Sequence, residues 1–164
     1  MAEPMVLASG TFGKVVAFRL TGGTKLVEAI RDVAINEGIR SGVILSGAAN
    51  LRHVRLRTAK DFYPSFPVAA KDRQFTERDD PMELLNINGN ISFKDDGELV
   101  VHVHVTASTS RNNPQVLAFG AHLEEGIIYT TGEIIIAEVK GMDFHRRMDD
   151  NTKMLELCPV ATGS

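Results

Sequence analysis

The chain has 164 residues, 43% of them hydrophobic and 24% charged, with 18 basic and 21 acidic side chains for a net charge of −3. This composition fits one globular domain spanning 1–164 and excludes wholesale disorder, collagen-like repeats and a run of ~20 apolar residues able to cross a membrane. Met1 to Lys14 lacks a basic start followed by a long apolar stretch, so no signal peptide is expected, and the single Cys158 cannot form an intrachain disulfide. A reducing, cytoplasmic setting is the expectation.

The first strand is predicted at Lys14 to Leu20, rich in β-branched and aromatic residues. Gly22 and Gly23 end it. Thr24 is then placed as the N-cap of a helix running to about Glu37, with Leu26, Ile30, Val33 and Ala34 on one face and Gly38 as the stop. Gly42 to Ala49 reads as a buried strand and Leu51 to Arg57 as a half-exposed one. Lys60 to Pro81 holds three prolines and reads as a long loop or ragged edge strands. Met82 to Phe93 is predicted as a strand with Leu85, Ile87, Gly89, Ile91 and Phe93 on one face. Asp95-Asp96-Gly97 is a hairpin signal leading into a partner strand, Glu98 to Thr106. A polar turn at Ser108 to Pro114 is followed by strands Val116 to Leu123 and Ile127 to Val139, joined by a turn at Glu124-Glu125-Gly126. The core thus runs from about 14 to 140. The polar remainder, 141–164, is expected to form a tail with a hairpin of Phe144 to Met148 and Met154 to Leu157. One helix against mostly antiparallel strands is an α+β domain.

Two of the five histidines stand one residue apart, in Leu99-Val-Val-His102-Val-His104-Val-Thr106. On a strand, residues i and i+2 share a face, so both imidazoles point one way while Val101, Val103 and Val105 point into a core. Two imidazoles at that spacing can tilt onto one metal ion. The same pattern also suits two half-exposed histidines on a sheet face. His122, in Phe119-Gly-Ala-His-Leu, lies one strand later and completes a three-histidine set if the strands pair. Gly120 fits a close approach of backbones there. Three protein ligands leave an open coordination position, the pattern of a catalytic zinc or another first-row divalent metal. Glu133 is a candidate fourth ligand, imidazole partner or catalytic general base, and equally a strand-end charge facing water.

The remaining motifs are weaker. His53 sits among Arg52, Arg55 and Arg57, a basic stripe that suits a phosphate, a carboxylate or plain solvent. His145 is expected at the surface, beside Arg146 and Arg147. Gly22-Gly23 before a helix lacks the further glycines and lysine of a nucleotide loop. Ser46-Gly47-Ala48-Ala49-Asn50 reads as tight packing or as pocket lining. The −3 charge and the absence of tryptophan weigh against nucleic acid as a direct partner.

Taken together, the Gly22-Gly23 helix unit, Gly38-Ile-Arg-Ser-Gly-Val-Ile-Leu-Ser-Gly47, Leu51-x-x-Val-x-Leu56 and Met82-Glu-Leu-Leu-Asn-Ile-Asn-Gly-Asn-Ile91 resemble the plants and prokaryotes conserved (PPC) domain, also called the domain of unknown function 296. His102-x-His104-Val and Gly120-Ala-His122-Leu-x-x-Gly126 are similar to its prokaryotic type. The resemblance covers about residues 14 to 140. It implies an antiparallel α+β fold similar to that of acetolactate decarboxylase, a homotrimer, and a metal, zinc, at His102, His104 and His122. In plants the domain follows AT-hooks that enter DNA and it assembles with nuclear partners. This chain has no AT-hook, and Asp80-Pro81-Met82-Glu83-Leu84-Leu85 keeps only the Glu and the final Leu of the plant partner-contact segment. The expectation is therefore a small trimeric metal-binding protein. The alternatives are a zinc-dependent lyase or hydrolase for a small carboxylate held by Arg55 or Arg57, and a DNA-associated assembly protein.

Overall fold

The computed structural model describes residues 7–63, 65–111 and 114–163. Its strands are β1 (Thr11–Thr21), β2 (Gly42–Ala59), β3 (Arg73–Arg78), β4 (Met82–Lys94), β5 (Leu99–Thr109), β6 (Leu117–Lys140), β7 (Met142–Met148) and β8 (Leu155–Ala161), with one α-helix, α1 (Leu26–Asn36). They form one sheet in the order β3-β2-β6-β5-β4-β7-β8, with β1 added on β6. All pairings are antiparallel except the short β4–β7 contact at Phe93 and Lys94. Because β2 pairs with both β6 and β4, the strands β2, β6, β5 and β4 close into a ring. His104 to Ser108 of β5 are thereby paired on both sides, whereas Leu99 to Val103 pair with β4 alone.

Helix α1 presents Leu26, Ile30 and Ala34, all fully buried, to a core shared with Leu51, Val103, Ile128, Ile134 and Ile136. The helix begins one residue later than expected. Lys25, not Thr24, is the N-cap, and no side chain caps it. The predicted stop holds: the amides of Gly38 and Ile39 donate back to the carbonyls of Ile35 and Ala34 at 3.1 and 2.8 Å. The Asp95-Asp96-Gly97 hairpin also forms, with Lys94 and Glu98 joined across it.

Other expectations need correction. The segments 42–49 and 51–57 are one 18-residue strand, and 116–123 and 127–139 are one 24-residue strand. Glu124-Glu125-Gly126 is a bulge rather than a turn, because Arg55 faces Glu125 while Leu56 faces Leu123. A second bulge between Leu84 and Asn86 breaks the alternation in β4. It leaves Leu85 57% exposed while Met82 and Leu84 are buried. The 60–81 segment contains β3 as an edge strand on β2, and Pro64 lies outside the described residues. So do residues 1–6 of the stretch read for a signal peptide, and residues 112 and 113 of the expected polar turn. The polar tail joins the sheet: β7 runs beside β4, and β8 extends further than predicted.

Strand β5 is gripped from both sides by glycines. A Cβ on Gly89 of β4 would stand 1.9 Å from the His102 carbonyl oxygen, and one on Gly120 of β6 would stand 2.3 Å from the Val105 carbonyl oxygen. Gly89→Ala is expected to destabilise the protein by roughly 1–3 kcal/mol through forced separation of the strands. At Gly97, with φ +87 but open space around it, Ala is expected to cost only about 1 kcal/mol. Urea unfolding midpoints of the two variants check this ranking, and equal midpoints would contradict the close approach.

Candidate metal centre

His104 on β5 and His122 on β6 are direct cross-strand partners, and His102 lies two residues along β5 on the same face. Val103 and Val105 point the other way and are buried, as the alternation requires. The three rings stand 4.9 to 5.3 Å apart between centroids. One nitrogen from each lies within 4.8 Å of the others, so the three can hold a metal ion. The Nε2 atoms of His102 and His104 are 3.3 Å apart. Two nitrogens at ~2.1 Å from one tetrahedral ion stand ~3.4 Å from each other, so this pair fits a shared ion as it stands. The Nδ1 atom of His122 is buried without a hydrogen-bond partner, an orphan that a cation would satisfy.

The surroundings of His122 and His102 disfavour the charged form and so favour the neutral imidazole, the form that binds metals. Burial, then the Arg57 guanidinium and the neighbouring histidines, push His122 down to about 3. Burial, then Arg146, lower His102 from its ordinary value. Arg146 is itself buried. It donates through Nε to Ser92 Oγ at 3.0 Å and through Nη2 to Asn90 Oδ1 at 2.8 Å and His102 Nδ1 at 3.1 Å. A guanidinium only donates. Neutral His102 therefore accepts at Nδ1 and carries its proton on Nε2, directed toward His104; to ligate a metal through Nε2 as a neutral ring it would pass that proton to Nδ1, and the Arg146 contact would open.

A pocket of about 540 Å³ opens at the histidines, lined also by Arg57, Arg73, Tyr63, Phe66, Met154 and Glu156. Glu124 Oε1 pairs with the Arg57 guanidinium, 2.8 Å from its Nε, and lies 3.6 Å from His122 Nε2. Glu133 is not brought here. Because β6 has no turn at 124–126, it carries Glu133 onward to pair with Ala48 and Arg19, where it is exposed. Arg55 is also absent from the pocket; it pairs with Glu77 at 3.4 Å and stacks on Phe75. Ser46 to Asn50 line none of it. His53 is not simply a solvated residue, since its Nδ1 bonds Asp79 Oδ1 at 2.8 Å. His145, expected at the surface, has a side chain only 20% exposed and lies against the Phe93 ring at 4.2 Å. Sequence reasoning missed Glu124, Arg73 and Arg146. The first two were legible only as strand charges, and Arg146 reaches its partners from 44 to 56 residues away.

Among the described residues no helix is long and apolar enough to cross a membrane. The chain is 30% identical over 156 residues to the bifunctional protein GlmU of Synechococcus sp. (strain JA-2-3B'a(2-13)), which covers 94% of this chain and 21% of that protein. The chain thus spans about a fifth of the length of the curated relatives it matches. Its fold is similar to a metal-containing protein from Archaeoglobus fulgidus, with a TM-score of 0.74, 23% identity and coverage of 93% of this chain and 99% of that one. It is similar as well to a plant- and prokaryote-conserved (PPC) protein from Pyrococcus horikoshii, with a TM-score of 0.73, 28% identity and coverage of 92% and 96%. Residues 7–140 match the Plants and Prokaryotes Conserved (PCC) domain, and the chain belongs to that family.

Proposed function

We propose that this is a small homotrimeric metal-binding protein of the cytoplasm in which His102, His104 and His122 hold one zinc ion. The observation that carries the reading is the convergence of three imidazoles, one nitrogen each within 4.8 Å, at the wall of a pocket. An all-imidazole set suits zinc among the first-row divalent ions, and three protein ligands leave a coordination position for a water or a small molecule. When bound, zinc supplies a Lewis acid at that wall. Burial together with the cationic neighbours disfavours the charged form of His102 and His122. The trimer is supported by the family resemblance and by apolar surface left exposed at Phe12, Val15 and Leu117.

Protein purified without chelators or a metal-affinity tag is expected to carry about one metal ion per chain by elemental analysis. His102→Ala, His104→Ala or His122→Ala should each lower that content to less than about a tenth, whereas His53→Ala should leave it unchanged. Metal retained in full by all three site variants would refute the ligand set. Sedimentation of the native protein should give three times the 17.9 kDa chain mass, and a monomer would remove the trimer from the proposal.

His122 also predicts a pH dependence. Its folded value is about 3, against 6.5 for an ordinary histidine. Between these values the unfolded chain takes up a proton that the folded chain refuses, so stability falls as pH drops from about 6.5 toward 3. In chelator-treated protein, His122→Gln should lose less stability between neutral and acid pH than the parent does. Urea unfolding of both across that range measures the difference, and equal losses would contradict it.

A further inference from the structure

Two guanidinium groups enter the histidine pocket, and they are not equivalent. Arg57 is committed to Glu124 at 2.8 Å. Arg73, at the start of β3, lines the same pocket half-buried, yet its guanidinium has no hydrogen-bond, ion-pair or ring partner among the described residues. Other unpartnered arginines, such as Arg31 and Arg52, do not line this pocket. A partly desolvated guanidinium with no counter-charge is electrostatically incomplete, and a carboxylate matches its planar fork. The pocket does hold a carboxylate, Glu156, but no ion pair joins it to Arg73. An apolar part of the wall is made by Tyr63 and Phe66, in an edge contact at 6.3 Å, with Val68, Ala121 and Met154. At about 540 Å³ the pocket has the size of a small-molecule site.

We propose that this pocket binds a small organic anion, its carboxylate held by Arg73 and its apolar end laid against Tyr63, Phe66 and Val68. The anion site rests on the pocket at the three histidines and not on the metal.

Isothermal titration with sodium hexanoate and its neutral isostere hexanamide tests it, on metal-loaded and on chelator-treated protein. Hexanoate is expected to bind saturably, at least ~10-fold tighter than hexanamide and tighter than acetate. Arg73→Gln should abolish that preference and Arg73→Lys should keep part of it, while Arg55→Gln, outside the pocket, should bind hexanoate like the parent. Unfolding midpoints of the variants confirm that each is folded. No saturable hexanoate binding, equal binding of acid and amide, or full hexanoate affinity in Arg73→Gln would overturn the proposal. Protein that binds no metal yet discriminates hexanoate from hexanamide through Arg73 would retain the anion site and reject the zinc. The reverse result would retain the zinc and reject the anion site.

Discussion

The close packing of β5 between β4 and β6 is the constraint on which the rest of the molecule depends. Residues directly opposed on antiparallel strands stand ~4.5–5.5 Å apart at Cβ, which lets side chains of one face touch. His104 and His122 occupy such a pair, and His102 follows two residues along. The backbones can approach this closely because Gly89 and Gly120 place no side chain against the carbonyls of His102 and Val105. Closure of β2, β6, β5 and β4 into a ring then removes the freedom to slip, since a one-residue shift would send the histidines to the core face. The buried valines of β5 resist that shift from the other side.

That geometry would be of little chemical use without its electrical surroundings. Three arginines, Arg57, Arg73 and Arg146, stand around three imidazoles, and two of those imidazoles have their ionisation suppressed. Neutral rings keep a lone pair for a cation. Of the three, Arg73 lines the pocket without a counter-charge, and it is the one that favours an anion there. A cation on the histidines and an anion beside it would each ease the binding of the other. Arg146 links this region to residues of β4, so its hydrogen bonds to buried Ser92 and half-buried Asn90 join the C-terminal hairpin to the site.

What could be read from the sequence was what short-range chemistry determines. The helix face, its glycine stop, the Asp-Gly hairpin and the shared face of His102 and His104 follow from periodicity and turn residues, and the structure has them all. The losses come from long-range pairing. A Glu-Glu-Gly triplet looks like a turn, yet here it is a bulge that lets β6 continue from β5 to β1. Reading it as a turn left Glu133 free to fold back, which the continuous strand prevents. The bulge beside Leu85 put that residue alone off the expected face, which Ile87, Ile91 and Phe93 keep, because an inserted residue changes the phase without changing composition. Arg146 and His145 looked like a polar tail, since their partners lie on β4 and β5 and leave no mark in the local sequence.

The central claim is that three imidazole nitrogens surround one ion. X-ray absorption at the K edge of the metal-loaded protein tests it most directly. The account predicts a first shell with three nitrogens at ~2.0–2.1 Å and the outer-shell scattering of three imidazole rings. A shell made of oxygen alone, or one with fewer than two imidazoles, would contradict it.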